Sequence, residues 1–222
     1  MTAERNGRPD VPQRILDQAT RLFARHGFVG ASLRDIARAV GIRKPSLLYH
    51  FASKDELRRS VLEQMLTHWN EAVPRILRAA TSGPEQFDAI GAETLRFFND
   101  DPDRAPLLLR ELLDRPEEIA PLVALRVQPW AKIVCDYIRK GQEQGRVHPD
   151  VDPEAYVAQV INLVLCGFAT HASLRNVLTA PTSDGEATDR LLREMLRVAK
   201  ASLFLPVPAE PPTRRPAASA RA

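Results

Sequence analysis

Cysteine is nearly absent: Cys135 and Cys166 are the only two in 222 residues, and they form no CxxC pair. That excludes a disulfide-built scaffold, suits a reducing cytoplasm, and leaves the two thiols expected as inert buried groups. No uninterrupted apolar run reaches the roughly 18 residues of a membrane span, so no membrane partner is expected. The N-terminus, MTAERNGRPD, has no apolar stretch behind its charges and does not read as a secretory signal. His68, His148 and His171 fall in no HxxxH or HExxH spacing, so no metal site is expected. A GxSxG elbow, a P-loop and a dinucleotide fingerprint are all missing, which leaves an enzyme or a cofactor unsupported. Strand-like alternation is almost missing too. What remains is an ordinary globular mix, 44% apolar and 27% charged, long enough to bury a real core.

The net charge of +3 hides an asymmetry. Residues 1–60 hold 12 Lys and Arg against 6 Asp and Glu, while the remainder holds 19 against 22. A basic segment on an acidic body points to a polyanion for that segment alone, or to a solvated basic surface.

Helical periodicity punctuated by Pro and Gly fills the chain. A first helix is expected from about Val11 to Arg25, with Ile15, Ala19, Leu22 and Phe23 on one face. Ser32 with Asp35, and Ser53 with Glu56, are capping-box pairs that open helices at about 33–40 and from 54 onward. A short helix from Pro45 to His50 lies between them. Pro74 predicts a kink or an early end to the fourth helix. Further helices are expected at about 86–100, 104–114, 117–145, 153–179 and 186–205, with Pro121 and Pro129 breaking the third of these. The fold class is all-α: a three-helix head at 11–56, then a connecting helix and helical body at 57–205. Residues 1–10 and the Pro/Ala-rich 206–222 are expected to be disordered tails.

The stretch GIRKPSLLYHF (41–51) carries the functional signal. Gly41 suits a corner between helices, and Pro45 suits the first turn of the next one. Ala37 precedes Gly41 by four and Leu47 follows it by six, with Ile36, Val40 and Ile42 as apolar pins. This is helix-turn-helix spacing, in which the second helix enters the major groove.

Across residues 12–63 the chain resembles the DNA-binding domain of the TetR/AcrR family of bacterial regulators. The matching residues are RILDQATRLFARHGF (14–28), SLRDIARAVGI (32–42) and KPSLLYHFASKDEL (44–57). The resemblance implies a homodimer whose heads bind a palindromic operator in double-stranded DNA, and a body that holds a small-molecule inducer. It implies that Lys44 reaches base edges, where a good contact discriminates by roughly 1–3 kcal/mol. Pro45 would lie near a thymine methyl, Ser46 would donate to phosphate, and Tyr49 and His50 would brace against the backbone. Lys54 would join the start of the fourth helix at a phosphate, and Arg34 would be a second base or phosphate contact. Two positions depart from the family pattern: Leu48 stands where a tyrosine is frequent, and Arg43 replaces a small cap with a charge. Phe51 is expected in the core of the head.

In the body, Gln159, Asn162, Cys166 and Thr170 form an uncharged polar stripe on the most apolar helix. It would line a cavity, cross a subunit interface, or form a partly wet face. Trp69, Phe97 and Trp130 are further candidates to line an inducer site. Ile161 and Phe168, with Leu192, Met195, Leu196, Ala199 and Leu203 of the last helix, are the candidate dimer interface. The leading expectation is a cytoplasmic, ligand-released dimeric repressor. An activator or architectural DNA-binding dimer, and a helical-bundle enzyme or carrier, are the alternatives.

Overall fold

The computed structural model describes residues 10–79, 83–178 and 184–206. Except for Asp10 and Pro206, the expected tails lie outside the described residues. The architecture is all-α, in the order α1 (Val11–Gly30), α2 (Leu33–Val40), α3 (Lys44–His50), α4 (Lys54–Ala79), α5 (Gly83–Asp100), α6 (Arg104–Asp114), α7 (Pro116–Glu143), α8 (Pro153–Leu178) and α9 (Asp184–Leu203). Among the described residues there is no strand, only one isolated antiparallel bridge between Val147 and Phe204.

Local chemistry sets the first helices. The Asp35 N–H donates to Ser32 Oγ at 3.2 Å, and the Ser32 hydroxyl donates to Asp35 Oδ2 at 2.5 Å. At α4 the Glu56 N–H donates to Ser53 Oγ at 3.0 Å, and Glu56 Oε2 accepts from the Ala52 N–H at 2.8 Å. Each box satisfies amide donors that a helix start otherwise leaves open. Gly41 ends α2 at φ 79°, which only glycine adopts freely. That turn lets the Ile42 N–H reach Ala37 O at 2.9 Å.

Ile15, Phe23, Ile36, Leu47 and Leu57 are fully buried and bind α1 to α4 into one unit. The same apolar cluster continues through Leu62, Leu66, Phe97, Phe98, Leu107 and Ile119. A second cluster, around Cys135, Ile138, Val147, Val157 and Leu203, closes the other end of the body.

The expected proline breaks do not occur. α7 runs unbroken through Pro121 and Pro129, and α4 continues past Pro74 to Ala79. Pro121 and Pro129 are exposed, as are Glu117 and Leu125, whose carbonyls lose their helical partners. On such an exposed face water can take the place of the lost helical bonds, which lowers the cost of each proline. Beside Pro74 the residues Val73, Ile76 and Leu77 are buried and keep this part of α4 in the core.

The inward face of α9 also corrects an expectation. Leu192, Met195, Ala199 and Leu203 are buried in their own chain and so are unavailable to a second subunit. Leu196 packs on Gly91, where an added Cβ would come within 2.7 Å of it, and Met195 crowds Gly167 at 2.5 Å in the same sense. Ile161 and Phe168 also pack on the main core, with the Phe168 ring stacked on Phe98 at 4.9 Å. The exposed face of the body is instead that of α8. Its stretch Pro153–Leu174 is long and apolar enough to cross a membrane by composition, yet only 11% of it is buried within the chain. Cys135 is buried as expected, whereas Cys166 is exposed on this face.

One polar link joins the start of α4 to the body. Arg58 Nε donates to Glu111 Oε2 on α6 at 2.7 Å, and Nη1 reaches Glu118 Oε2 on α7 at 2.6 Å. The Arg58 and Glu111 side chains are 8% and 3% exposed, against 52% for Glu118. Burial pulls the Arg58 pKa down, but hydrogen bonding and charge from both glutamates outweigh it and leave it raised. The Arg58 hydrogen bond holds the Glu118 carboxyl below the usual glutamate range. The Glu118 contribution is therefore present above the unfolded pKa and fades as pH falls through the folded one. In denaturant unfolding, Arg58→Ala strands a buried carboxylate and is expected to cost about 3–5 kcal/mol. Glu118→Gln, which changes a solvent-exposed partner, is expected to move the unfolding midpoint far less than Arg58→Ala does.

Candidate nucleic-acid interface

α3 is short and two-sided. Leu47 anchors it at zero exposure, and Phe51 behind it is buried in the same core, as expected. The other side carries Arg43, Lys44, Pro45, Ser46 and Tyr49, all exposed, with His50 half-buried. Tyr49 is 86% exposed, and its ring meets His50 edge-on at 5.3 Å. Arg34 is exposed on α2, so the structure leaves all these positions open to solvent on the elements next to the Gly41 corner.

Charge pairing separates this face from its surroundings. Arg38 pairs with Asp35 at 3.3 Å, and Arg14 donates to Val40 O at 2.5 Å, tying α1 to the end of α2. Arg34, Arg43 and Lys44 have no ion pair among the described residues. Unpaired cations beside a protruding tyrosine and serine can meet phosphate oxygens and base edges. Lys54 is placed differently. Its ammonium lies 4.4 Å over the Phe28 ring and 3.4 Å from Val29 O, and burial draws its pKa down. Arg115 covers the same ring at 4.4 Å and Arg58 at 5.3 Å, so three cations converge on Phe28.

The candidate ligand residues are only partly brought together. Trp69 contacts Phe97 at 5.3 Å and Trp130 at 6.3 Å, which brings these three candidates into one aromatic cluster. Gln159, Asn162 and Cys166 lie exposed on α8, and the Thr170 hydroxyl donates to Cys166 O at 2.7 Å. The stripe is therefore on the outer face of the body, away from the aromatic cluster.

Two depressions were not legible in the sequence. A polar cleft of about 230 Å³ lies between α1, α4 and α5. Within it Glu93 accepts from Arg96 at 2.5 Å, and His68 Nε2 sits 2.8 Å from Glu93 Oε1. A larger groove of about 570 Å³ is lined by the last turn of α4, α5, α7 and the end of α9. No three His, Cys, Asp or Glu side chains among the described residues could hold a metal together. The Arg58 link also had no sequence signal, because its partners lie 53 and 60 residues away.

The two sides of α3 are expected to separate by stability. Leu47→Ala should lower the unfolding free energy by about 2–5 kcal/mol, as cavity-forming core changes do. Tyr49→Ala should stay within about 0.5 kcal/mol in the same urea titration.

Comparison with known proteins agrees with this geometry. Residues 15–61 match the model for bacterial regulatory proteins of the tetR family. The HTH-type transcriptional repressor Rv1474c of Mycobacterium tuberculosis is 27% identical over 186 residues, covering 81% of this chain and 86% of that one. The negative transcriptional regulator IcaR of the icaADBC biofilm operon of Staphylococcus aureus is 26% identical over 137 residues, covering 62% and 72%. The fold is shared with the ketosteroid transcriptional regulator KstR2 of M. tuberculosis, at TM-score 0.71 and 18% identity over 90% of this chain and 97% of that one. AibR, solved with isovaleryl coenzyme A and operator DNA, superposes at TM-score 0.63 and 17% identity over 83% and 97%. The head, residues 15–61, thus matches the tetR family of bacterial regulatory proteins, and the relatives named above are transcriptional regulators.

Proposed function

We propose that the chain works in the bacterial cytoplasm as a homodimeric repressor. Two α3 heads hold a pseudo-palindromic operator, and a small molecule bound in the body releases it. The carrying observation is the exposed leading end of α3, with Lys44 and Arg43 unpaired beside Ser46 and Tyr49 on a buried Leu47 anchor. In this reading Lys44 reads guanine edges, Pro45 lies against a thymine methyl, and Ser46 donates to phosphate. Tyr49 and His50 brace against the backbone, and Arg34 and Arg43 neutralise neighbouring phosphates. Lys54, seated on Phe28, adds positive charge behind them. The head is 11–56 and the body 57–205.

Repression is supported by two relatives, a repressor and a negative regulator. Ligand control is supported by AibR, whose structure holds an acyl coenzyme A and operator DNA. Dimerisation through α8 is supported by its exposed Leu163 and Leu174, next to Gln159, Asn162 and Cys166 and without charge among them. An apolar surface of this kind requires a cover, and a second copy related by a two-fold axis supplies one.

Genomic fragments incubated with the purified protein should yield a palindromic site. The site should be lost with Lys44→Ala and weakened at higher salt as phosphate counterions compete. Recovery of the same fragments by wild type and variant alike would remove α3 as the reader. Leu163→Arg should shift the protein from dimer to monomer in size-exclusion chromatography with light scattering; an unchanged dimer mass would place the interface elsewhere.

A further inference from the structure

We propose that the groove at the far end of α4 binds an amphipathic carboxylate, an aliphatic or aromatic body with one anionic head. The inference rests on the ligand-released reading above and names the site and class of its ligand. The apolar wall comes from Phe87 and Ile90 of α5, Val134 and Ile138 of α7, and Leu203 and Phe204 at the end of α9. At about 570 Å³ the groove lies within the usual range for small-molecule sites.

Charge selects the head group. Lys140 and Arg146 are exposed and line the groove, and none of its lining residues is acidic. This occurs in a part of the chain where acidic residues outnumber basic ones. Neighbouring cations are already paired: Arg139 with Asp136 and Glu154, and Lys200 with Asp88. Neither Lys140 nor Arg146 has a carboxylate partner among the described residues, and the Arg146 guanidinium donates to the Gln144 side-chain oxygen. Two cations facing an apolar wall, with no acid to oppose them, complement an anion with a hydrophobic body and disfavour a cation or a neutral alcohol.

The polar groups of the same groove hold α4. Gln86 Nε2 donates to Leu77 O at 3.0 Å, and the Tyr137 hydroxyl lies 3.4 Å from the same carbonyl. A ligand that shifts either side chain acts directly on the last turn of the helix whose first turn is fixed by Arg58.

The test is isothermal titration of the full chain, without DNA, with decanoate below its micellar range. Saturable binding is expected, at least tenfold weaker in Lys140→Glu/Arg146→Glu and at least tenfold weaker for decanol. Ile90→Trp, which fills the wall, should also weaken it, whereas Lys132→Glu, an exposed change on α7 outside the groove, should leave it unchanged. Absence of saturable binding, equal affinity in the rim variant, or equal affinity for decanol would overturn the proposal. Because no DNA is present, that failure is separate from a failure of the operator pull-down.

Discussion

The buried contact of Arg58 with Glu111, extended to Glu118, is the constraint on which the rest of the molecule depends. It lies in the second turn of α4, the helix that follows α3 and its Lys44 and Tyr49 in the chain. A charge pair excluded from water is strongly directional: either partner left alone in the interior costs several kilocalories per mole. Apolar packing at Leu57 and Val61 tolerates small slips, whereas a contact in which Nε and Nη2 both close on Glu111 Oε2 does not. The head is therefore held in register with α6 and α7 by geometry as well as by the shared core. Phe28 adds to this, since Lys54, Arg58 and Arg115 share one ring at the end of α1. Weakening of any one of these contacts is felt where α1, α4 and the α6–α7 junction meet.

Much of the head was legible because its rules are local. A capping box spans three residues, the Gly41 turn depends on its own φ, and helical periodicity repeats every three or four positions. The start of α2 at Leu33 and of α4 at Lys54 follow from such rules, and so does the burial of Leu47 and Phe51. The body was less legible for a physical reason. Periodicity identifies an apolar face but not what covers it. Leu192, Met195 and Ala199 form the face expected of α9, yet Gly91 and Gly167 let it sink into its own chain. The prolines illustrate the same limit: whether Pro129 breaks a helix depends on where the orphaned Leu125 carbonyl points, and that is set by tertiary packing.

α8 combines an apolar composition with an exposed position. Few charges and little intrachain cover make its outer face costly in water. The uncharged polar groups Gln159 and Asn162 on that face can hydrogen-bond across a symmetric contact without the desolvation cost that ions would bring. The stripe noticed in the sequence thus keeps its value as a pattern, although it does not border the aromatic cluster. Cys166 belongs to the same face, and its exposure follows from that placement and not from any cationic environment.

α4 and α7 provide the physical basis for communication along the molecule. Glu118 accepts from Arg58 near the start of α4, and the Tyr137 hydroxyl approaches Leu77 O near its end. Both contacts join residues 60 apart, so the two helices run parallel and in register over that length. Between them Asn70 Nδ2 donates to Arg126 O at 2.8 Å. A 26-residue helix spans about 39 Å, and alone it could bend where Pro74 removes a hydrogen bond. Tethered to α7 at its start, middle and end, it shifts as part of a pair. An event at the groove and an event at α3 then act on one two-helix element, which is the requirement for reciprocal coupling. Under the proposed function, a ligand would move that element only as far as its affinity differs between the two positions, and operator DNA would weaken the ligand by the same factor.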